Sequence, residues 1–142
     1  MAMIFEDAFM DAQSSAVSLC IEFLEMAQAI VDKVYIYMYI EEQSFLFNAF
    51  FEKDSRLFLP EDVSNTQDTL NFLNLGADDA MNILNVCKKF NKNCPREIKM
   101  IFYTKSHKFE SEYRYEPLTE EDVGPSFRFI EWQETIEKDL GK

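Results

Sequence analysis

Residues Ile98 to Tyr115 read as two strands joined by a tight turn, and no other stretch limits the fold as much. Apolar residues alternate at Ile98, Met100 and Phe102, and again at Phe109, Tyr113 and Tyr115. A period of two marks a strand with one buried face. A turn centred on Ser106-His107 sets Thr104 opposite Phe109, Phe102 opposite Ser111, Met100 opposite Tyr113 and Ile98 opposite Tyr115. All of these then share one face. The other face carries Lys99, Ile101 and Tyr103 beside Glu110, Glu112 and Arg114. A slip of one residue would mix the two faces, so the pattern opposes it.

The rest of the chain alternates helix with strand. Phe5 to Ala29 predicts an amphipathic helix, with Phe5, Phe9, Ala12, Ala16, Leu19, Phe23, Ala27 and Ile30 at steps of three and four. Lys33 to Glu41 switches to period two, with Val34, Ile36, Met38 and Ile40 alternating with Tyr35, Tyr37 and Tyr39. If the aliphatic face packs on the helix, the tyrosines line the opposite face. They form either an exposed aromatic stripe or a second packed face. Ser44 to Lys53 predicts a second strand and Arg56 to Leu59 a short third, which Pro60 ends or confines to an edge. Thr66 to Leu73 predicts a short helix, and a separate helix runs from Ala77, after Gly76, to Lys92. Ser126 is placed to cap a last helix carrying Phe129, Trp132, Ile136 and Leu140, with Gly141 just past its end. The fold class expected is α+β, an antiparallel sheet of hairpins packed against a long N-terminal helix and further helices, with residues 1–142 as one domain.

Hydrophobic residues form 47% of the chain, enough for a core without metal or disulfide. The formal net charge is −12, from 26 acidic and 14 basic residues. That balance opposes binding to nucleic acid or anionic membranes, and it either favours a basic partner or serves solubility alone. Met1 to Asp11 carries Glu6, Asp7 and Asp11 and no Lys or Arg, the opposite of a secretory leader, and no apolar run is long enough for a membrane span. The three cysteines, Cys20, Cys87 and Cys94, lack CxxC spacing and read as core fillers in a reducing compartment. The expected location is cytoplasmic.

No catalytic constellation can be written. His107 is the single histidine and falls at the hairpin turn, where it reads as solvated. One His and three scattered Cys do not make a zinc site, and three glycines allow no phosphate loop. The acids Glu110 and Glu112, or Glu120, Glu121 and Asp122, could meet a divalent cation, but no calcium-loop pattern surrounds them and they read as a solvated face. No catalytic residue, metal site or cofactor is expected. Charge is uneven along the chain. Lys88 to Lys108 holds seven basic residues against Glu97, and Glu110 to Asp139 holds ten acids against Arg114, Arg128 and Lys138.

The segment Phe109 to Leu118, an aromatic-acidic strand, resembles that of the YezG-type immunity proteins, antitoxins of secreted bacterial toxins. In that family the strand is followed by an acidic loop, an Arg, a Trp and a closing Leu-Gly. Here these are Thr119 to Pro125, Arg128, Trp132 and Leu140-Gly141. The tyrosine strand after a leading helix and the aromatic strand Phe45 to Phe51 also look like the family. Glu131 stands between Ile130 and Trp132, where the family has the Trp directly after an apolar pair, and residues 61–76 match no part of it. The resemblance implies a non-enzymatic protein that binds and silences a cognate toxin, a nuclease in the best-known cases. Residues expected to meet a basic toxin domain are Tyr35, Tyr37, Tyr39, Glu110, Glu112, Glu120, Glu121 and Asp122. The alternatives are an acidic adaptor with no toxin and, less compatible with the missing His and Gly, a metal-dependent enzyme.

Overall fold

The computed structural model describes residues 4–118 and 124–141. Helix α1 spans Phe5–Met26. Strands β1 (Lys33–Glu41), β2 (Ser44–Lys53) and β3 (Arg56–Phe58) follow as a meander, then a one-turn helix α2 (Pro60–Val63) and a long helix α3 (Thr66–Lys89). Strands β4 (Glu97–Tyr103) and β5 (Phe109–Arg114) form the terminal hairpin, and α4 (Pro125–Leu140) ends the chain. The five strands make one antiparallel sheet in the order β3-β2-β1-β4-β5. This is the α+β fold anticipated above.

The central strand β1 is buried on both faces. Val34, Ile36, Met38 and Ile40 point towards α1 and α3 and join Phe23, Phe51, Phe72 and Ile83 in the main core. Tyr35, Tyr37 and Tyr39 point the other way, into a smaller aromatic core closed by Phe129 and Trp132 of α4. The sheet is therefore a filling between two helical layers.

Four local readings are corrected by the structure. The β4–β5 register pairs Phe102 with Phe109, Met100 with Ser111 and Ile98 with Tyr113, two residues away from the predicted pairing. A shift of two keeps every side chain on its face, so alternation alone cannot detect it. Thr104 is drawn out of the hairpin, its backbone N–H bonding to Asp32 O at 3.0 Å and its hydroxyl to Val31 O at 2.7 Å. The loop then closes through His107, exposed as predicted and at φ 62°.

Helix α1 stops three residues before Ala29. Gln28 adopts φ 56° and the Ala29 N–H reaches back to Leu24 O at 2.9 Å, a helix-ending closure made without glycine. Ser126 is not a cap, because α4 begins one residue earlier with Pro125 at its first position and Gly124 at φ 127° before it.

The fourth correction concerns Gly76. It does not separate two helices; α3 runs through it unbroken, started by Asn65, whose side-chain oxygen accepts the Asp68 N–H at 2.8 Å. A glycine inside a helix costs about 1 kcal/mol relative to alanine. Here a Cβ would lie 2.1 Å from Cδ1 of Phe47, a buried residue of β2. At Gly76 the long helix packs directly against β2. Gly76→Ala should therefore destabilise the protein by about 1–3 kcal/mol through overpacking, despite the better helix former. Combining it with Phe47→Leu should recover part of that loss. Urea unfolding of the two single variants and the double variant measures the coupling; additive losses would disprove the close-packing role.

Candidate partner-binding surface

A phenol buried in an aromatic core still needs a partner for its hydroxyl. Each tyrosine of β1 has found a carboxylate. The Tyr35 hydroxyl donates to Glu52 at 2.7 Å, Tyr37 donates to Glu97 at 2.5 Å, and Tyr39 donates to Glu41. Burial and the neighbouring carboxylate push the Tyr35 and Tyr37 hydroxyls far above the ordinary tyrosine range, and Tyr39 up to about 12. All three remain neutral donors at physiological pH.

A buried carboxylate in turn needs a cation. Lys33 lies 3.6 Å from Glu52. Glu97, 4% exposed, is gripped by both arms of Arg128, with Nε to Oε2 at 2.5 Å and Nη2 to Oε1 at 2.9 Å. Burial alone would raise the Glu97 pKa, but the hydrogen bonds from Arg128 and Tyr37, with Arg128 and Lys99 charge, outweigh it and hold the carboxyl below its usual range. The path Tyr37–Glu97–Arg128 thus ties the central strand and β4 to α4. Around it Tyr35 stacks on Phe50 at 4.5 Å, Trp132 meets Phe50 edge-on at 5.2 Å, and Lys99 sits 5.7 Å over the Trp132 ring.

These contacts correct part of the predicted binding surface. Tyr35, Tyr37 and Tyr39 are 3%, 0% and 5% exposed, so they pack the second core and present no surface to a partner. Glu110 and Glu112 do lie together, on the face of the β4–β5 hairpin that continues the α4 side of the sheet, beside Lys99, Ile101 and Tyr103. Glu112 is exposed and Glu110 partly so, in an ion pair with Lys108 at 3.0 Å. Glu120, Glu121 and Asp122 lie outside the described residues.

Alternation in the sequence could not reveal Glu97 and Arg128 as a pair, because they are distant along the chain and each reads alone as a surface charge. Tyr113 and Tyr115, predicted on the apolar face of the hairpin, are 36% and 45% exposed at the β5 edge. The Tyr113 hydroxyl still donates to the side-chain oxygen of buried Gln13 at 3.0 Å, holding the edge strand to α1. Between the Glu97–Arg128 pair and β5 is a polar hollow of about 280 Å³, lined by Lys99, Glu112, Arg114 and Glu116. The arrangement can present acids, tyrosines and an edge strand to another protein. Among the described residues no three His, Cys, Asp or Glu side chains gather as metal ligands, and no helix is long and apolar enough to cross a membrane. No family model and no curated protein matches the chain.

Removing the guanidinium leaves a buried carboxylate uncompensated. Arg128→Ala should cost about 3–5 kcal/mol at neutral pH. In the wild type the Glu97 pKa lies below its unfolded value of about 4.3. Its stabilisation is therefore complete above that value and lost as pH falls through the folded-state pKa. In the variant the folded pKa moves upwards, so the deficit relative to wild type should shrink on acidification. Urea midpoints at pH 7 and pH 4.5 test this; an equal deficit at both pH values would show that Arg128 acts only through packing.

Proposed function

We propose that this chain is a non-enzymatic immunity protein that binds a secreted toxin and neutralises it, the toxin being a nuclease domain. The observation that carries this reading is the open side of the β4–β5 hairpin. There, among the described residues, the sheet ends at β5, with Glu110 and Glu112 on one face of that edge, Tyr113 on the other and exposed Tyr115 just beyond, in a molecule of net charge −12. An edge strand offers backbone groups to an incoming chain. Exposed tyrosines supply contact area with a polar tip. Carboxylates attract the basic surface with which a nuclease holds its substrate, and covering that surface blocks the enzyme. The likeness of the Phe109–Leu118 segment, Arg128 and Trp132 to the immunity family supports the same reading. Because Arg128 and Trp132 are spent on the second core, they shape the protein and the hairpin meets the toxin.

The test is to search for a nuclease toxin domain encoded beside this chain and to measure co-expression and binding with it. Co-expression should restore growth, and stopped-flow mixing should give fast association that slows as salt rises, the Debye length being about 8 Å at physiological ionic strength. Reversing both Glu110 and Glu112 to Lys should slow association several-fold at low salt and change dissociation less. Glu61→Lys, near the opposite sheet edge, should have little effect. Growth arrest despite co-expression, with no complex formed, would overturn the assignment; unchanged association in the double reversal would remove the hairpin from the interface.

A further inference from the structure

Two of the three cysteines come together at the end of α3. Cys87 stands in the last turn of that helix, and Asn91 at φ 54° reverses the chain just beyond it. The Lys92 N–H bonds back to Cys87 O at 2.8 Å, closing the helix end. Cys94 is thereby returned to Cys87, and both side chains line one hollow of about 210 Å³ with Lys88, Lys92 and Arg96. Glu41 and Glu42 line it too, and Glu42 pairs with Lys88 at 2.6 Å. The two thiols are near enough that each shifts the other's pKa, Cys87 downwards and Cys94 upwards. Cys87 is 1% exposed and Cys20, on α1, is wholly buried, both within the main core, whereas Cys94 is partly exposed.

We propose that Cys87 and Cys94 are a hydroperoxide-sensitive thiol pair that closes to an intramolecular disulfide. Cys87 supplies the nucleophile. The neighbouring Cys94 thiol holds the Cys87 pKa below the ordinary cysteine value, and that of Cys94 is shifted upwards in turn. The Cys87 thiolate attacks one oxygen of the hydroperoxide and the O–O bond breaks. The departing oxyanion takes a proton from solvent, leaving Cys87 as the sulfenic acid. The Cys94 sulfur then attacks Cys87 Sγ, the S–O bond breaks, and the released hydroxide takes the Cys94 proton to form water. In sum two thiols lose two electrons and the hydroperoxide is reduced to water and an alcohol, or to two waters from hydrogen peroxide. The hollow admits a molecule of that size, and Cys94, only partly buried, is its open side. Cys20 does not line this hollow, and its thiol is pushed well above the ordinary range, chiefly by burial.

The experiment treats the full chain with hydrogen peroxide, unfolds it, alkylates free thiols and weighs the intact protein. Two of the three cysteines should become unalkylatable with loss of two hydrogens, and trypsin should release a disulfide joining the Cys87 peptide to the Cys94 peptide. Cys94→Ser should stop at a sulfenic acid on Cys87 that dimedone traps, and Cys87→Ser should leave Cys94 reduced. Circular dichroism checks that both variants fold, and the wild-type mass stands without them. Three alkylated cysteines, after an exposure that fully oxidises free cysteine at the same concentration, would overturn the proposal. So would a disulfide that includes Cys20 or joins two chains.

Discussion

The hydroxyls of three buried tyrosines organise one whole side of this protein. β1 sits at the centre of the sheet, so its second face must be covered, and that face is phenolic. Phenols can enter an apolar layer only with acceptors for their O–H groups. The chain supplies carboxylates, and these bring a requirement of their own, since an unpaired buried carboxylate is costly. Arg128 meets it for Glu97 and so fixes where α4 crosses the sheet. Phe129 and Trp132 are on the same helix, and their rings fill the space that the ion pair sets.

The two helical layers are held by different physics. On one side α1 and α3 lie on aliphatic and phenylalanine side chains, with close approach made possible by the missing Cβ of Gly76. Packing density and area dominate there. On the other side a single helix is held by aromatic contacts and a directional, charged network. Acid should thus loosen the α4 side before the α1–α3 side, because protonating Glu97 weakens only the former.

Charge is distributed unevenly over this frame. The basic run from Lys88 to Lys108 is partly offset by local partners. Lys88 pairs with Glu42, Lys99 lies over Trp132, and Lys108 pairs with Glu110. At the β5 edge the exposed groups fall on opposite faces, Glu110 and Glu112 on the α4 side of the sheet and Tyr113 on the α1 side. A protein partner with basic side chains would find there both the charge and the contact area that recognition needs.

The sequence by itself determined the elements and their faces. Alternation at Val34–Tyr39 and Ile98–Phe102 identified two of the strands and the side that each residue takes, because β geometry repeats every two residues whatever surrounds it. The same property hid the hairpin register, since a shift of two is silent in the pattern and was decided by Thr104 bonding to a distant loop. Gly76 read as a break because local propensity is all that a sequence displays; contact with Phe47 outweighs it. Glu110 and Glu112 were legible as neighbours on one face. Whether the tyrosine face met solvent or a helix was not, because that depends on α4 arriving from the far end of the chain. The pairing of Glu97 with Arg128 is likewise a tertiary fact. Its two charges acquire their meaning only where folding removes the water between them.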